Sequence, residues 1–295
     1  MSVGTPAATV GTTSVRLLVV ATALLLGGCG ALIDRATTSF ASDLEQAVVN
    51  YDEPLVVERG LPAFLLILEA RRQASPDDAD LLVNLASMTG TYASLFVDDA
   101  DGARRMSERA LGYARHATCI EKTPLCDVGE MPFEQFERHV ERLESGHVDM
   151  AYALGTAWVT WIASASSDYS ALADLPKAEL LLETVAEMAP KHDDGAVWLY
   201  LGVLNSQRPP AAGGRPDLAA QYFRQAREVS SGRNLMVNVF MADEYARLVF
   251  DRELYVELLE EVLAADADQP GYVLANRIAK ARARDLLEQT DDIFF

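Results

Sequence analysis

From about residue 42 onward the chain repeats one pattern: apolar residues recur at spacings of three and four, interrupted by polar clusters rich in Pro, Gly and Asp. That period predicts helices over 61–72, 79–96, 103–117, 133–143, 149–165, 177–188, 195–206, 217–229, 235–250, 253–265 and 271–288. Ser42 and Glu45 form a capping-box pair that opens a first helix ahead of these. Breaks at 76–78, 98–101, 190–194, 209–214 and 266–270 carry turn chemistry, and almost no stretch alternates as a strand does. The expectation is an all-α fold.

Within that pattern, helices come in pairs. Trp198, Leu201 and Gly202 have the spacing of the first helix of a tetratricopeptide unit, and Ala219, Phe223 and Ala226 that of the second. Ala178, Leu182, Val185 and Pro190 match the second helix and closing proline of the unit before. Small residues at Gly202 and Ala219 allow close approach, while Trp198 and Phe223 fill the groove between neighbouring pairs. The predicted architecture is a set of degenerate tetratricopeptide-like helix-pair repeats forming a compact curved α-solenoid. A generic helical bundle is the alternative.

The first 28 residues break the pattern. They hold one charge, Arg16, followed by an apolar run over 17–26 that is too short to span a bilayer, and then Leu26-Gly27-Gly28-Cys29. Small residues before a cysteine resemble a bacterial lipobox, in which Cys29 is lipidated and becomes the mature N-terminus. Gly30, rather than Asp, resembles the outer-membrane sorting default. The predicted organisation is a signal peptide at 1–28, a lipidated tether at 29–41 and one helical domain at 42–295. The expected location is the periplasmic side of the envelope, held by the lipid alone.

Charge narrows the partners. The 295-residue chain carries a formal −19, and since Arg16 is the one charge lost with residues 1–28, the mature chain carries −20. Such a surface repels nucleic acid and gives no electrostatic reason for a second membrane contact. Cys119 and Cys126, with six residues between them across a turn containing Pro124, are spaced for a disulfide in an oxidising compartment, with two free thiols as the alternative.

No catalytic motif stands out. The sequence lacks Gly-x-Ser-x-Gly, His-Glu-x-x-His and a phosphate-binding glycine loop, and its four histidines, 116, 139, 147 and 192, show no ligand spacing; His139 reads as part of a solvated helix face. Asp99-Ala100-Asp101-Gly102 with Glu108 fits part of a calcium loop, but Val97 would occupy the first ligand position. The alternative makes Asp101 the cap of a helix starting near Ala103. No metal or cofactor is expected. Asparagines and aromatics inside helices, poor choices there unless they find partners, point instead to a binding surface: Asn205, Asn234, Asn238 and Tyr245 are the candidate partner or ligand residues, and repeat-bridging is the competing role.

Several segments, taken in order, resemble the T component of tripartite ATP-independent periplasmic (TRAP) transporters. They are Gly60-Leu61-Pro62-Ala63-Phe64-Leu65-Leu66, Phe96-Val97-Asp98-Asp99, Ala157-Trp158-Val159-Thr160-Trp161-Ile162 and Leu201-Gly202-Val203-Leu204. Gly213-Gly214-Arg215-Pro216, Ser231-Gly232-Arg233-Asn234, Glu244-Tyr245-Ala246-Arg247, Phe250-Asp251-Arg252-Glu253 and Asp291-Asp292-Ile293-Phe294 complete the set. The resemblance implies a non-enzymatic auxiliary lipoprotein that binds the periplasmic solute-binding P component, and a hydrophobic solute as a further ligand. Some members are ring-like oligomers around a pore, so a homo-oligomer such as a trimer is implied as well. The competing functions are a helical-repeat scaffold of envelope machinery and a hydrolase built on paired buried carboxylates.

Overall fold

The computed structural model describes residues 1, 44, 46–208, 210 and 214–295. Cys29, the signal peptide and most of the tether therefore lie outside the described residues. Residues 50–295 form one compact unit. Its described residues are helical, with no strand among them. Its longer helices are α1 (Pro54–Ala74), α2 (Ala79–Phe96), α3 (Ala100–Ile120), α4 (Phe133–Val140), α5 (Val148–Ser164), α6 (Tyr169–Ala173), α7 (Leu175–Met188), α8 (Ala196–Asn205) and α9 (Pro216–Val229). Then follow α10 (Met236–Phe240), continued by a π-helical turn Met241–Ala246, α11 (Arg252–Ala264), α12 (Val273–Glu288) and α13 (Thr290–Ile293).

Packing runs in two layers. Helices α2, α5, α8 and the α10–π segment touch in succession, and α10 meets α12; α3, α7, α9 and α11 each pack on the preceding inner helix and on the next. Helix α12 also packs on α1, and Arg282 of α12 reaches the Ser94 carbonyl of α2, so helices from the two ends of the unit meet. The core follows from the periodicity: Leu82, Leu85, Leu154, Trp158, Ile162, Leu181, Leu182, Val185, Leu201, Phe223, Tyr255 and Leu259 are all buried. Two glycines permit the closest approaches. A Cβ on Gly155 would fall 2.5 Å from Leu182, and one on Gly202 would fall 2.9 Å from the ring of Phe223. Phe223 is thus seated against Gly202 as the pair spacing predicts, whereas Trp198 stays half-buried, stacked on Tyr222 with its Nε1 donating to the Pro190 carbonyl.

Several boundaries differ from the sequence expectation. Helix α1 begins at Pro54 rather than near 61, and Pro62 lies inside it; a proline that looks like a start forfeits only the bond to residue 58 once a turn of helix precedes it. Helix α3 begins at Ala100, and its cap is Asp99, whose carboxylate accepts from Gly102 N–H at 2.7 Å, not Asp101. Asp101 and Glu108 are then both helical, which removes the loop a calcium site would need. The predicted helix 235–250 is interrupted by the π turn. His139, expected on a solvated face, is half-buried with Nδ1 2.6 Å from the Pro124 carbonyl.

Candidate functional site

One face of α8 separates from its core face. Val197, Leu201, Val203 and Leu204 are buried, whereas Ala196 and Tyr200, about one turn apart, keep partial solvent contact, as does Gln207 just past the helix's end, seven residues on from Tyr200. Tyr200 meets Tyr152 of α5 edge-on, with ring centroids 6.3 Å apart. Tyr152 also meets the His192 ring at 4.7 Å and donates from its hydroxyl to Asp193 Oδ2 at 2.6 Å. Burial pushes the Tyr200 phenol up to about 12, with Asp193 adding to the effect, although the side chain remains partly exposed. This face therefore sits at the margin of the core, partly open to solvent.

At the far end of that face Gln207 Nε2 donates to Glu244 Oε2 at 3.3 Å. The π turn supplies this contact, because its wider register turns Glu244 toward α8. Burial raises the Glu244 carboxyl from its ordinary 4.5 to about 7; neighbouring Asp243 adds to the rise, while Arg247, Gln207 and Arg282 oppose it. Asp243 is itself ion-paired to Arg247.

The loop ahead of α8 is strained. Asp193 and Asp194 adopt φ of 48° and 50°, left-handed values that side chains disfavour, and Gly195 follows at 80°. Glycine is required there, since a Cβ would meet Val229 at 2.4 Å. Two phenols hold the strained pair: Tyr152 on Asp193, and Tyr272, whose hydroxyl donates to Asp194 Oδ2 at 2.9 Å while Arg233 lies over its ring. One loop thus ties α5, α8 and the entry to α12.

The four residues singled out from sequence are not brought together on that face. Asn205 and Asn238 are buried. Asn205 Nδ2 donates to the Leu201 carbonyl, and Asn238 Nδ2 to Glu261 Oε2, which Arg227 also pairs. Asn234 accepts from Met236 N–H, turning the chain into α10. Tyr245 is half-buried beside Glu244 on the π turn. Sequence reasoning passed over Tyr152, Gln207, Glu244 and the Asp193-Asp194 pair. The signal available for the last was two aspartates before a glycine, and for Gln207 its two-turn spacing from Tyr200.

Away from this face, Cys119 and Cys126 form a disulfide between the end of α3 and the following turn. Asp127 lies beside it. With both sulfurs bonded to each other, this group has no thiolate to offer a metal. Trp158, Lys177 and Arg115 gather around Asp174: Trp158 Nε1 donates to it at 3.2 Å, Lys177 Nζ at 3.1 Å, and both cations lie over the indole. Among the described residues no helix is long and apolar enough to cross a membrane.

The fold defines a layered all-α protein whose inner helices carry a partly solvent-open aromatic face. A model of the family described as TRAP transporter T-component matches residues 50–294, nearly all of the compact unit, and the chain belongs to that family. It is also similar to an uncharacterized protein of Treponema pallidum (strain Nichols), 25% identical over 272 residues, which span 86% of this chain and 84% of that protein. The family is one of transporter components, not an enzyme class.

Proposed function

We propose that this chain is a non-enzymatic, lipid-anchored auxiliary T component that binds the solute-binding P component of a TRAP transporter on the periplasmic side of the envelope. The observation that carries the reading is the family match, which runs through the whole helical unit rather than one motif within it. The layered helix pairs are read as a degenerate tetratricopeptide-like solenoid, and the face of Tyr152, Tyr200 and Gln207 as the surface along which a hydrophobic solute passes. Two aromatic rings line it, and Glu244 stands at its end. Lipidation at Cys29 supplies the anchor.

Tyr200→Ala and Gln207→Ala test the surface. Both should weaken capture of the solute-binding protein or of a labelled fatty acyl probe while leaving the helical signal intact. Unchanged capture of both by both variants would contradict the assignment. Cys29→Ser should abolish acylation and membrane retention without unfolding the domain; an acylated mutant recovered in the membrane pellet would exclude Cys29 as the anchor.

A further inference from the structure

Helix α1 is apolar on two sides, and the fold covers one. Val57, Leu61, Phe64, Leu65 and Leu68 turn inward, buried or half-buried, on the side that packs against α2. On the other side Leu55, Val56, Leu66 and Ile67 are 46%, 51%, 71% and 63% exposed. At 100° per residue these four share an arc of about 120° with Arg59, Ala63, Ala70 and Ala74, all exposed, and the arc runs roughly 30 Å along the helix. A helix apolar all round is ordinarily a buried helix. Here one half of it faces outward.

Charge separates the candidate occupants. The outward arc holds one charged residue, Arg59, and the exposed Arg71 flanks it. The carboxylates are turned aside: Glu69 accepts from Arg72 and from the Tyr113 hydroxyl, and Glu58 is half-buried. Residues 54–74 hold three arginines against two glutamates, a net +1 within a chain of −19. An apolar strip with basic residues and no carboxylate on its outer arc matches an anionic lipid surface. Position agrees, because α1 is the first long helix among the described residues, with 24 residues between Cys29 and Pro54. Twenty-four residues reach at most about 80 Å, ample for α1 to lie on the leaflet that holds the lipid.

We propose that α1 is a second membrane contact, lying in the interface with Leu55, Val56, Leu66 and Ile67 against the acyl boundary and Arg59 and Arg71 at anionic head groups. This departs from the expectation, drawn from net charge, that the lipid alone holds the protein: the acidic total hides a locally basic apolar helix. The inference rests on lipidation at Cys29, so the test separates the two.

Full-length protein is extracted from membranes, its acylation is checked by mass spectrometry, and it is placed in vesicles of phosphatidylethanolamine with a minority of phosphatidylglycerol. With Cys29 acylated and Cys119 and Cys126 paired, Ala63→Cys offers one reactive thiol for a fluorophore on the outer arc, and Gln221→Cys one on exposed α9. Phospholipid brominated in its acyl chains should quench the label at 63 severalfold more than that at 221. Adding Leu66→Asp and Ile67→Asp should abolish the difference without changing the melting temperature, since both side chains are exposed. Equal quenching at 63 and 221 in acylated protein overturns the proposal. So does a label at 63 that escapes lipid but self-quenches as the protein-to-lipid ratio rises, which would seat a second copy on α1. Absence of an acyl chain on Cys29 is a different result, the failure of the lipoprotein reading on which the proposal stands.

Discussion

Buried asparagines illustrate how one residue type serves unequal roles. Asn276 is fully buried, its Oδ1 accepts from Leu235 N–H and its Nδ2 donates to the Arg233 carbonyl, so it joins α12 to the turn before α10. Asn276→Ala leaves that donor and acceptor without a partner and should lower stability by about 3 kcal/mol in denaturant unfolding. Asn205 bonds a carbonyl in its own helix, and Asn205→Ala should lower it by only about 1 kcal/mol. Equal losses would refute the distinction. Glu244 offers a test by pH. Its folded carboxyl titrates near 7 and the ordinary value is 4.5, so the folded state binds the proton more tightly. Stability from this group is complete below about 4.5 and declines as pH rises through 7, by an amount on the order of 2–3 kcal/mol. Glu244→Gln should therefore flatten the pH dependence of the melting temperature between 5 and 8, within the range these pKa values span. An unchanged slope would assign the dependence elsewhere.

At the scale of elements, the turn after α3 shows what the sequence makes legible. Cys119, Pro124 and Cys126 announce a constrained turn, and Thr118 and Thr123 add bonds to it: the Thr118 hydroxyl reaches the Leu125 carbonyl, and the Thr123 hydroxyl donates to that of Thr118. His139 of α4 holds the same turn through Pro124. The closed loop is short, so replacing both cysteines by serine should destabilise by about 2 kcal/mol, and unfolded, unreduced protein should show no free thiol at 119 or 126. Two free thiols would remove the cross-link from the account. Helix identity was readable because apolar spacing encodes it, and the interior of nearly every predicted helix is helical. Ends were less readable. Pro62 resembles a start, Asp99 and Asp101 are both acceptable caps, and local spacing gives no sign that a residue is accommodated as a π turn at Met241–Ala246.

Across the whole molecule, the shared face is the part that one-dimensional pattern could not supply. Tyr152, Tyr200, Gln207 and Glu244 come from three separate elements, and each taken alone is an ordinary polar or aromatic residue in a helix. Only packing of α5, α8 and the π turn aligns them. The asparagines chosen from sequence were conspicuous for poor helix propensity, a local property that packing satisfies as readily as function does. Family membership, by contrast, is distributed along the chain and was legible in ordered segments from residue 60 to residue 294. It makes the chain a transporter component and leaves its partner to be measured. The direct measurement is sedimentation velocity of the folded, detergent-solubilised lipoprotein titrated with the TRAP solute-binding protein of its own organism. A new, faster boundary that saturates at a fixed ratio, and weakens with Tyr200→Ala, is the expected result. Two independently sedimenting species at concentrations of tens of micromolar, where a complex of about micromolar Kd would be mostly formed, would contradict it.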